Sequence, residues 1–203
     1  MLVWINGAFG AGKTHTAHEL HRRLDGSRVS DPELLGFALQ KMLPAAARGD
    51  FQDLPQWRTA GAATLRDADA ASGGPVIVPM TLVRDDYFDE IIGGLRADGV
   101  DVRHYALLAS PETLRRRLRA RLAYVGGRLV GRDETWAMRQ IDRCVAALSD
   151  ARYATHVPTD DRSVDEVVET IAADAQLELT RGRLSPVRFQ IRRLGVAVRH
   201  IRL

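Results

Sequence analysis

The chain has 203 residues, 45% hydrophobic and 27% charged, enough for one α/β domain with a substantial core and an appendage. Its single cysteine, Cys144, excludes an intramolecular disulfide framework, no secretory signal is read at the N-terminus, and no run nears the roughly 20 apolar residues of a membrane span, so a cytoplasmic protein is expected. The net charge of +3 is uneven: seven arginines and no acidic residue fall in 181–203, leaving 22 basic against 26 acidic residues in a mildly acidic body.

Leu2-Val3-Trp4-Ile5 is a continuous apolar run, as expected of a central parallel strand buried on both faces. Thr14 to Leu24 then shows helical spacing through Ala17, Leu20 and Leu24. Arg28-Val29-Ser30 is a short second strand ahead of a helix from about Pro32 to Met42, and Arg48 to Ser72 is mixed helix and loop. Two strands follow breakers: Val76 to Val78 after Gly73-Gly74-Pro75, and Val102 to Ala109 after Asp98-Gly99. Pro111 starts a helix near its first turn, which Gly126-Gly127 interrupt, and a further helix fits Glu134 to Leu148. Thr155 to Pro158 is a last strand, and Ser163 with Glu166 has capping-box spacing before a helix over Val164 to Ala175. Strands alternating with helices predict βαβ units and a parallel sheet.

Between the first strand and first helix, Gly7-Ala8-Phe9-Gly10-Ala11-Gly12-Lys13-Thr14 satisfies G-x-x-x-x-G-K-[ST] in the setting that motif requires. The glycines let the backbone turn tightly and aim N–H groups at an anion, which then sits at the positive end of the following helix. Lys13 can reach the β/γ-phosphates and the Thr14 hydroxyl can ligate Mg²⁺ beside them. The motif predicts ATP with Mg²⁺, and it stands out in a chain with only one other lysine, Lys41.

Phosphoryl transfer also needs a group to orient the acceptor and positive charge on the γ-phosphate. Asp31, following the second strand, is the first candidate for base or Mg²⁺-linked group; an N-cap for the Pro32 helix is the alternative, and both roles can coexist. Arginines are dense at 115–117, 119, 121, 128 and 132, with Arg139 and Arg143 beyond. Most suit a solvated helix face, but the Gly126-Gly127 break suits a lid that brings arginines onto the transferring group. Phe51, Trp57 and Arg58 either stack on a planar acceptor or pack an irregular helical region. His15, His18 and His21 share one arc of the first helix, but nothing completes a metal site, so an exposed polar face is expected.

WINGAFGAGKT, HELHRRL, DPELLGFAL, DFQDLPQWR, VIVPMT, EIIGGLR, QIDRC and the terminal HIRL together resemble the tunicamycin resistance proteins of bacteria, P-loop proteins related to nucleoside monophosphate kinases and shikimate kinase. The resemblance implies a P-loop kinase-like α/β/α sandwich with a five-stranded parallel sheet, ATP and Mg²⁺, and protection against a nucleoside antibiotic. It implies an ATP loop over Gly7 to Thr14 and an acceptor-side acid at Asp31. Arg117 and Arg121 look like arginines entering an arginine-rich lid over about 119–135, and Arg132 and Arg143 like those leaving it. Met80 and Thr81, closing VIVPMT, join Asp31, Phe51, Trp57 and Arg58 as substrate-binding candidates.

The domain is expected to span 1–180, with 181–203 a basic amphipathic helix. Leu184, Val187, Ile191, Leu194, Val198 and Ile201 form one stripe flanked by arginines, which can dock on the domain, on a second subunit as an oligomer, or peripherally on an anionic membrane. A nucleic-acid partner is not expected, since the arginines flank an apolar stripe and the body is acidic. The leading expectation is an ATP-dependent phosphotransferase acting on a hydroxyl of tunicamycin or a related nucleoside compound. A drug-sequestering protein at the membrane and a housekeeping nucleotide or sugar kinase are the alternatives.

Overall fold

The computed structural model describes residues 1–124, 136–153 and 155–185, together with Arg188 and Arg192. In chain order the regular elements are β1 (Leu2–Gly7), α1 (Lys13–Arg23), β2 (Arg28–Val29), α2 (Glu33–Met42), α3 (Pro55–Ala71), β3 (Val76–Pro79), α4 (Asp85–Phe88) and α5 (Gly94–Ala97). They continue with β4 (Val102–Leu108), α6 (Pro111–Tyr124), α7 (Trp136–Arg139), α8 (Ile141–Leu148), β5 (His156–Pro158) and α9 (Val164–Asp174). A π turn, Asp89–Gly93, joins α4 to α5.

The five strands form one parallel sheet in the order β2-β3-β1-β4-β5. β1 lies at its centre, and all six of its residues are buried because helices cover both faces. Alternation along β1 divides the core. Val3 and Ile5 face a cluster with Leu20, Leu114, Ile141, Val157 and Ile171, drawn from α1, α6, α8, β5 and α9. Leu2 and Trp4 face the other layer, with Trp57, Leu65, Tyr87, Ile92 and Leu95 from α3, α4, the π turn and α5. The expected α/β/α sandwich is therefore observed, as is the five-stranded parallel sheet.

The ends of α9 follow its sequence closely. Ser163 accepts from the Glu166 N–H while Glu166 reaches back to the Ser163 N–H, completing the capping box. Beyond its last turn Gln176 takes φ 57°, and the Leu177 N–H reaches the Ala172 carbonyl at 2.8 Å, closing the helix where glycine is the usual residue.

The C-terminal boundary is bridged by contacts. The Thr180 N–H donates to the Arg23 carbonyl at 2.9 Å. Arg23, itself buried, pairs with Asp165 at 3.2 Å and Glu169 at 3.0 Å. Arg181 pairs with Asp25 and Arg183 with Glu169. Burial raises the Asp165 carboxyl, whereas hydrogen bonds from Arg183 and Arg23 pull Glu169 down to about 2. Arg192 reaches the His18 carbonyl at 3.4 Å. These contacts leave His15, His18 and His21 half-buried instead of on the open polar face expected, and burial together with the Arg192 charge lowers His21. Residues 193–203, and with them most of the expected amphipathic helix, lie outside the described residues. Among the described residues no helix is long and apolar enough to cross a membrane.

Candidate active site

Because the strands are parallel, their carboxyl ends share one rim, and the loops leaving β1, β2, β3, β4 and β5 meet there. The loop after β1 carries the glycine motif. Gly10 and Gly12 take φ 88° and 100°, a region that side chains disfavour, and a Cβ on Gly10 would lie 3.1 Å from the Leu114 carbonyl of α6. The loop therefore curls closely against α6 and releases directly into α1.

Lys13 opens α1 and is 8% exposed. Its Nζ donates to the Gly7 carbonyl at 2.9 Å and the Ala8 carbonyl at 3.2 Å, and it lies 5.5 Å from the centre of the Phe9 ring. The ammonium thus points back over its own loop, into the concavity that the loop glycines and α1 form. A phosphate placed there would meet the positive helix end and a lysine already delivered to the site. Thr14 is half-buried in the first turn of α1. Among the described residues no group of three or more His, Cys, Asp or Glu side chains could hold a metal ion. Cys144 of α8 lies near enough to feel the Lys13 charge, but burial dominates and pushes its thiol up, so it stays protonated at neutral pH.

Asp31 sits at the carboxyl end of β2. Its Oδ1 accepts from the Glu33 N–H at 3.0 Å and its carbonyl accepts from Leu34, so Asp31 closes the turn that leads through Pro32 into α2. On the far side of the rim Arg117 donates to the Thr159 hydroxyl at 3.2 Å and the Thr159 carbonyl at 2.5 Å, where β5 ends. Hydrogen bonds from Thr113 and Ser110, with the Arg117 charge, hold the neighbouring Asp160 carboxyl below the usual range. Arg143 is exposed on α8. The Arg121 side chain, Arg132 and most of the expected lid lie outside the described residues.

The aromatic candidates separate. Trp57 is 1% exposed, and its indole N–H donates to the Pro32 carbonyl at 2.9 Å. Phe51 packs between it and Phe37, with ring centroids 5.2 and 5.8 Å away, and its ring lies so close to Gly36 that a Cβ there would sit 2.5 Å from it. Met80 is likewise buried, at 1%. Trp57 and Met80 therefore build the core beneath the rim and do not offer a surface to a ligand, which corrects their expected role in substrate binding. The 3-10 turn Phe51–Asp53, just ahead of α3, sets the Phe51 ring over Trp57. Thr81, 3% exposed, donates its hydroxyl to the Gly7 carbonyl at 2.9 Å and so supports the loop from behind.

Arg58 alone of that group reaches the rim. It donates to the Gln52 carbonyl at 2.7 Å and to Glu90 at 2.5 Å, and its guanidinium lies 4.3 Å from the centre of the Tyr87 ring. Arg84 lies 4.1 Å from the same ring, and the Tyr87 hydroxyl donates to Asp53 at 2.7 Å. Burial and Asp53 raise the Tyr87 phenol, so it remains a donor. Just beyond, a cavity of about 540 Å³ opens between Val83–Asp86 and the end of α8 at Ala146, Ala147 and Asp150, with Tyr153 at its side. Sequence reading missed Tyr87 and Arg84. It also missed Trp136, whose ring meets Phe9 edge-on at 5.1 Å across the phosphate loop. The stretch Arg84-Asp85-Asp86-Tyr87 carried the only local signal, an aromatic residue among charges a few residues after a strand.

With this geometry in place, the AAA domain family matches residues 2–148. The tunicamycin resistance protein of Deinococcus radiodurans is 32% identical with a TM-score of 0.73, over 89% of this chain and 99% of that one. A gluconokinase from Sinorhizobium meliloti 1021 is 18% identical, with a TM-score of 0.59 over 87% of this chain and 92% of that one. A shikimate kinase from Bacteroides thetaiotaomicron is 15% identical, with a TM-score of 0.56 over 87% and 99%. These last two likenesses are of fold. No curated protein sequence matches the chain.

Proposed function

The chain belongs to the AAA domain family and to the tunicamycin resistance proteins, and from that footing we propose that it is an ATP-dependent phosphotransferase acting on a hydroxyl of tunicamycin or a related nucleoside compound. The observation that carries this reading is the buried Lys13, held at the N-terminus of α1 inside its own glycine loop and facing the common rim of the sheet. A site that only bound an anion would not need an acid after β2 and an arginine of α6 at the same rim.

In this reading the loop amides and the start of α1 hold the phosphates, and Lys13 exchanges its two carbonyl partners for β/γ-phosphate oxygens. Gly7 keeps the Thr81 hydroxyl as a donor when the lysine leaves, so its buried carbonyl is never stranded. The Thr14 hydroxyl would hold a Mg²⁺ ion beside the phosphates. The metal supplies charge neutralisation of the transferring group. Asp31 accepts the hydrogen bond of the acceptor hydroxyl and takes its proton. The hydroxyl oxygen bonds to the γ-phosphorus, the bond from that phosphorus to the β–γ bridging oxygen breaks, and ADP leaves. Arg117 carries positive charge to the nucleotide side of the rim, and Arg121, Arg132 and Arg143 are proposed to add to it. Arg58, set against the buried Tyr87 ring, offers the acceptor a cation.

Incubating the protein with tunicamycin and Mg-ATP and weighing the drug by mass spectrometry tests the reading. The expected product carries one added phosphoryl group. A drug of unchanged mass, from cells that the protein does protect, would overturn it.

The apolar stripe of 184–201 and the arginines that flank it support a second element of the proposal, peripheral attachment to an anionic membrane. The full chain is expected to co-sediment with phosphatidylserine-containing vesicles at low salt, and replacing Arg193, Arg199 and Arg202 with Glu to abolish this. Equal sedimentation of the two proteins would remove the membrane from the picture.

A further inference from the structure

Asn6 is a fully buried polar residue in an apolar strand, with no role in the chemistry above. All of its hydrogen-bonding capacity is directed. Oδ1 accepts from the Gly7 N–H at 2.8 Å and the Leu82 N–H at 3.0 Å, which identifies the oxygen. Nδ2 donates to the Leu82 carbonyl at 2.7 Å and lies 3.2 Å from His104 Nε2. Since Nδ2 can only donate, His104 must accept through an unprotonated Nε2 and carry its proton on Nδ1. The ring is packed on β4 edge-on to Phe88, with centroids 5.1 Å apart, and beside Tyr153 at 6.1 Å.

The position explains why an amide is needed. β3 runs beside β1 only as far as Pro79, after which the Met80 N–H still reaches the Ile5 carbonyl at 3.2 Å. Beyond that point the chain leaves the ladder toward Arg84 and Tyr87. The Asn6 amide meets both the N–H and the carbonyl of Leu82, as a neighbouring strand's peptide group would, and so extends the pairing by one residue through a side chain. Its oxygen also fixes the first amide of the phosphate loop. With Thr81 on the Gly7 carbonyl, both peptide groups of Gly7 are tied to the segment that follows β3, one directly and one through Asn6.

We propose that Asn6, seated by His104, is a positioning residue that sets the register between the phosphate loop and the acceptor-side segment Thr81–Tyr87. The proposal rests on the kinase reading for its effect on transfer, and on the structure alone for its effect on nucleotide binding. His104 acts through Asn6: it supplies the acceptor that keeps the amide from rotating and releasing Gly7 and Leu82 together.

The test uses the full chain with a non-hydrolysable Mg-ATP analogue, whose affinity is measured by calorimetry, alongside melting temperature and transfer kinetics. His104→Leu keeps an apolar ring-sized volume but cannot accept, and should weaken the analogue about tenfold, the scale of one buried donor losing its partner. His104→Gln can accept through its side-chain oxygen and should stay within about threefold of the parent. Asn6→Ala should show the larger loss; if it fails to fold, the His104 pair still decides. In transfer assays both damaging variants should lower kcat and leave the acceptor KM unchanged. A folded His104→Leu protein that binds the analogue as the parent does, or equal losses in His104→Leu and His104→Gln, would overturn the proposal. A parent protein that binds the analogue but phosphorylates no acceptor defeats the kinase reading and leaves the affinity comparison standing.

Discussion

The two sides of the rim are built in opposite ways. On the nucleotide side each contact has a backbone group as one partner: Lys13 on two loop carbonyls, the Gly7 N–H and carbonyl on Asn6 and Thr81, Gly10 against the Leu114 carbonyl of α6. On the acceptor side an apolar footing of Trp57, Phe51 and Met80 carries a crest of Arg58, Arg84, Tyr87, Asp53 and Glu90 linked by side-chain pairs. Backbone anchors fix a geometry that a phosphate always presents. Solvent-facing ion pairs such as Arg84 with Asp53 are worth little individually and exchange partners readily, which suits the proposed acceptor side.

Four substitutions break or sharpen this contrast. The largest effect is expected from Trp57→Ala, which removes the footing and should cost about 3–5 kcal/mol in urea unfolding; Arg58→Ala, one residue along, should cost less, about 1–2 kcal/mol, and raise the acceptor KM. Next, Lys13→Ala should cut the phosphoryl-transfer rate by about 10²–10³ with little change in stability, since Thr81 still satisfies the Gly7 carbonyl. A thermal shift as large as that of Trp57→Ala would show that the lysine is part of the fold. Gly10→Ala places a Cβ at positive φ against α6 and should destabilise by about 1–3 kcal/mol, lowering nucleotide affinity with it.

The smallest effect lies at the far end of α1. Glu169 has its folded pKa depressed to about 2 from 4.5, so its contribution is present above pH 4.5 and lost as pH falls toward 2. Asp165 is shifted the other way by burial and reduces that slope. Glu169→Gln should therefore flatten the dependence of unfolding free energy on pH within this window, followed by urea titration at several pH values, while nucleotide binding at neutral pH is unaffected.

The contrast also explains what could be read without a structure. Strand β1, the glycine loop and α1 are local: an apolar run, a motif and a 3.6-residue period suffice, and α1 runs Lys13–Arg23 against the expected Thr14 to Leu24. The capping box at Ser163 was equally local. The acceptor side depends on which way a chain turns between elements. Nothing in the order of Phe51, Trp57 and Arg58 states that two rings turn inward and the guanidinium outward. Asn6 was invisible for a related reason, because its four partners come from residues 7, 82 and 104, and only the sheet order brings them together. The charge break at Arg181 was legible, but the pairing of Arg181 and Arg183 with Asp25 and Glu169 across it was not.

The π turn at Asp89–Gly93 has a consequence for how the chain tolerates changes in length. A π turn holds one residue more than an α turn over the same span, and this one contains Gly93 and is followed by Gly94. Deleting either glycine lets the segment tighten into ordinary helix while Ile91, Ile92 and Leu95 stay on the core side. The same loss from β1 would flip every following side chain to the opposite layer. Insertions and deletions among relatives should therefore collect at this turn, which carries Glu90, and leave the length of β1 constant.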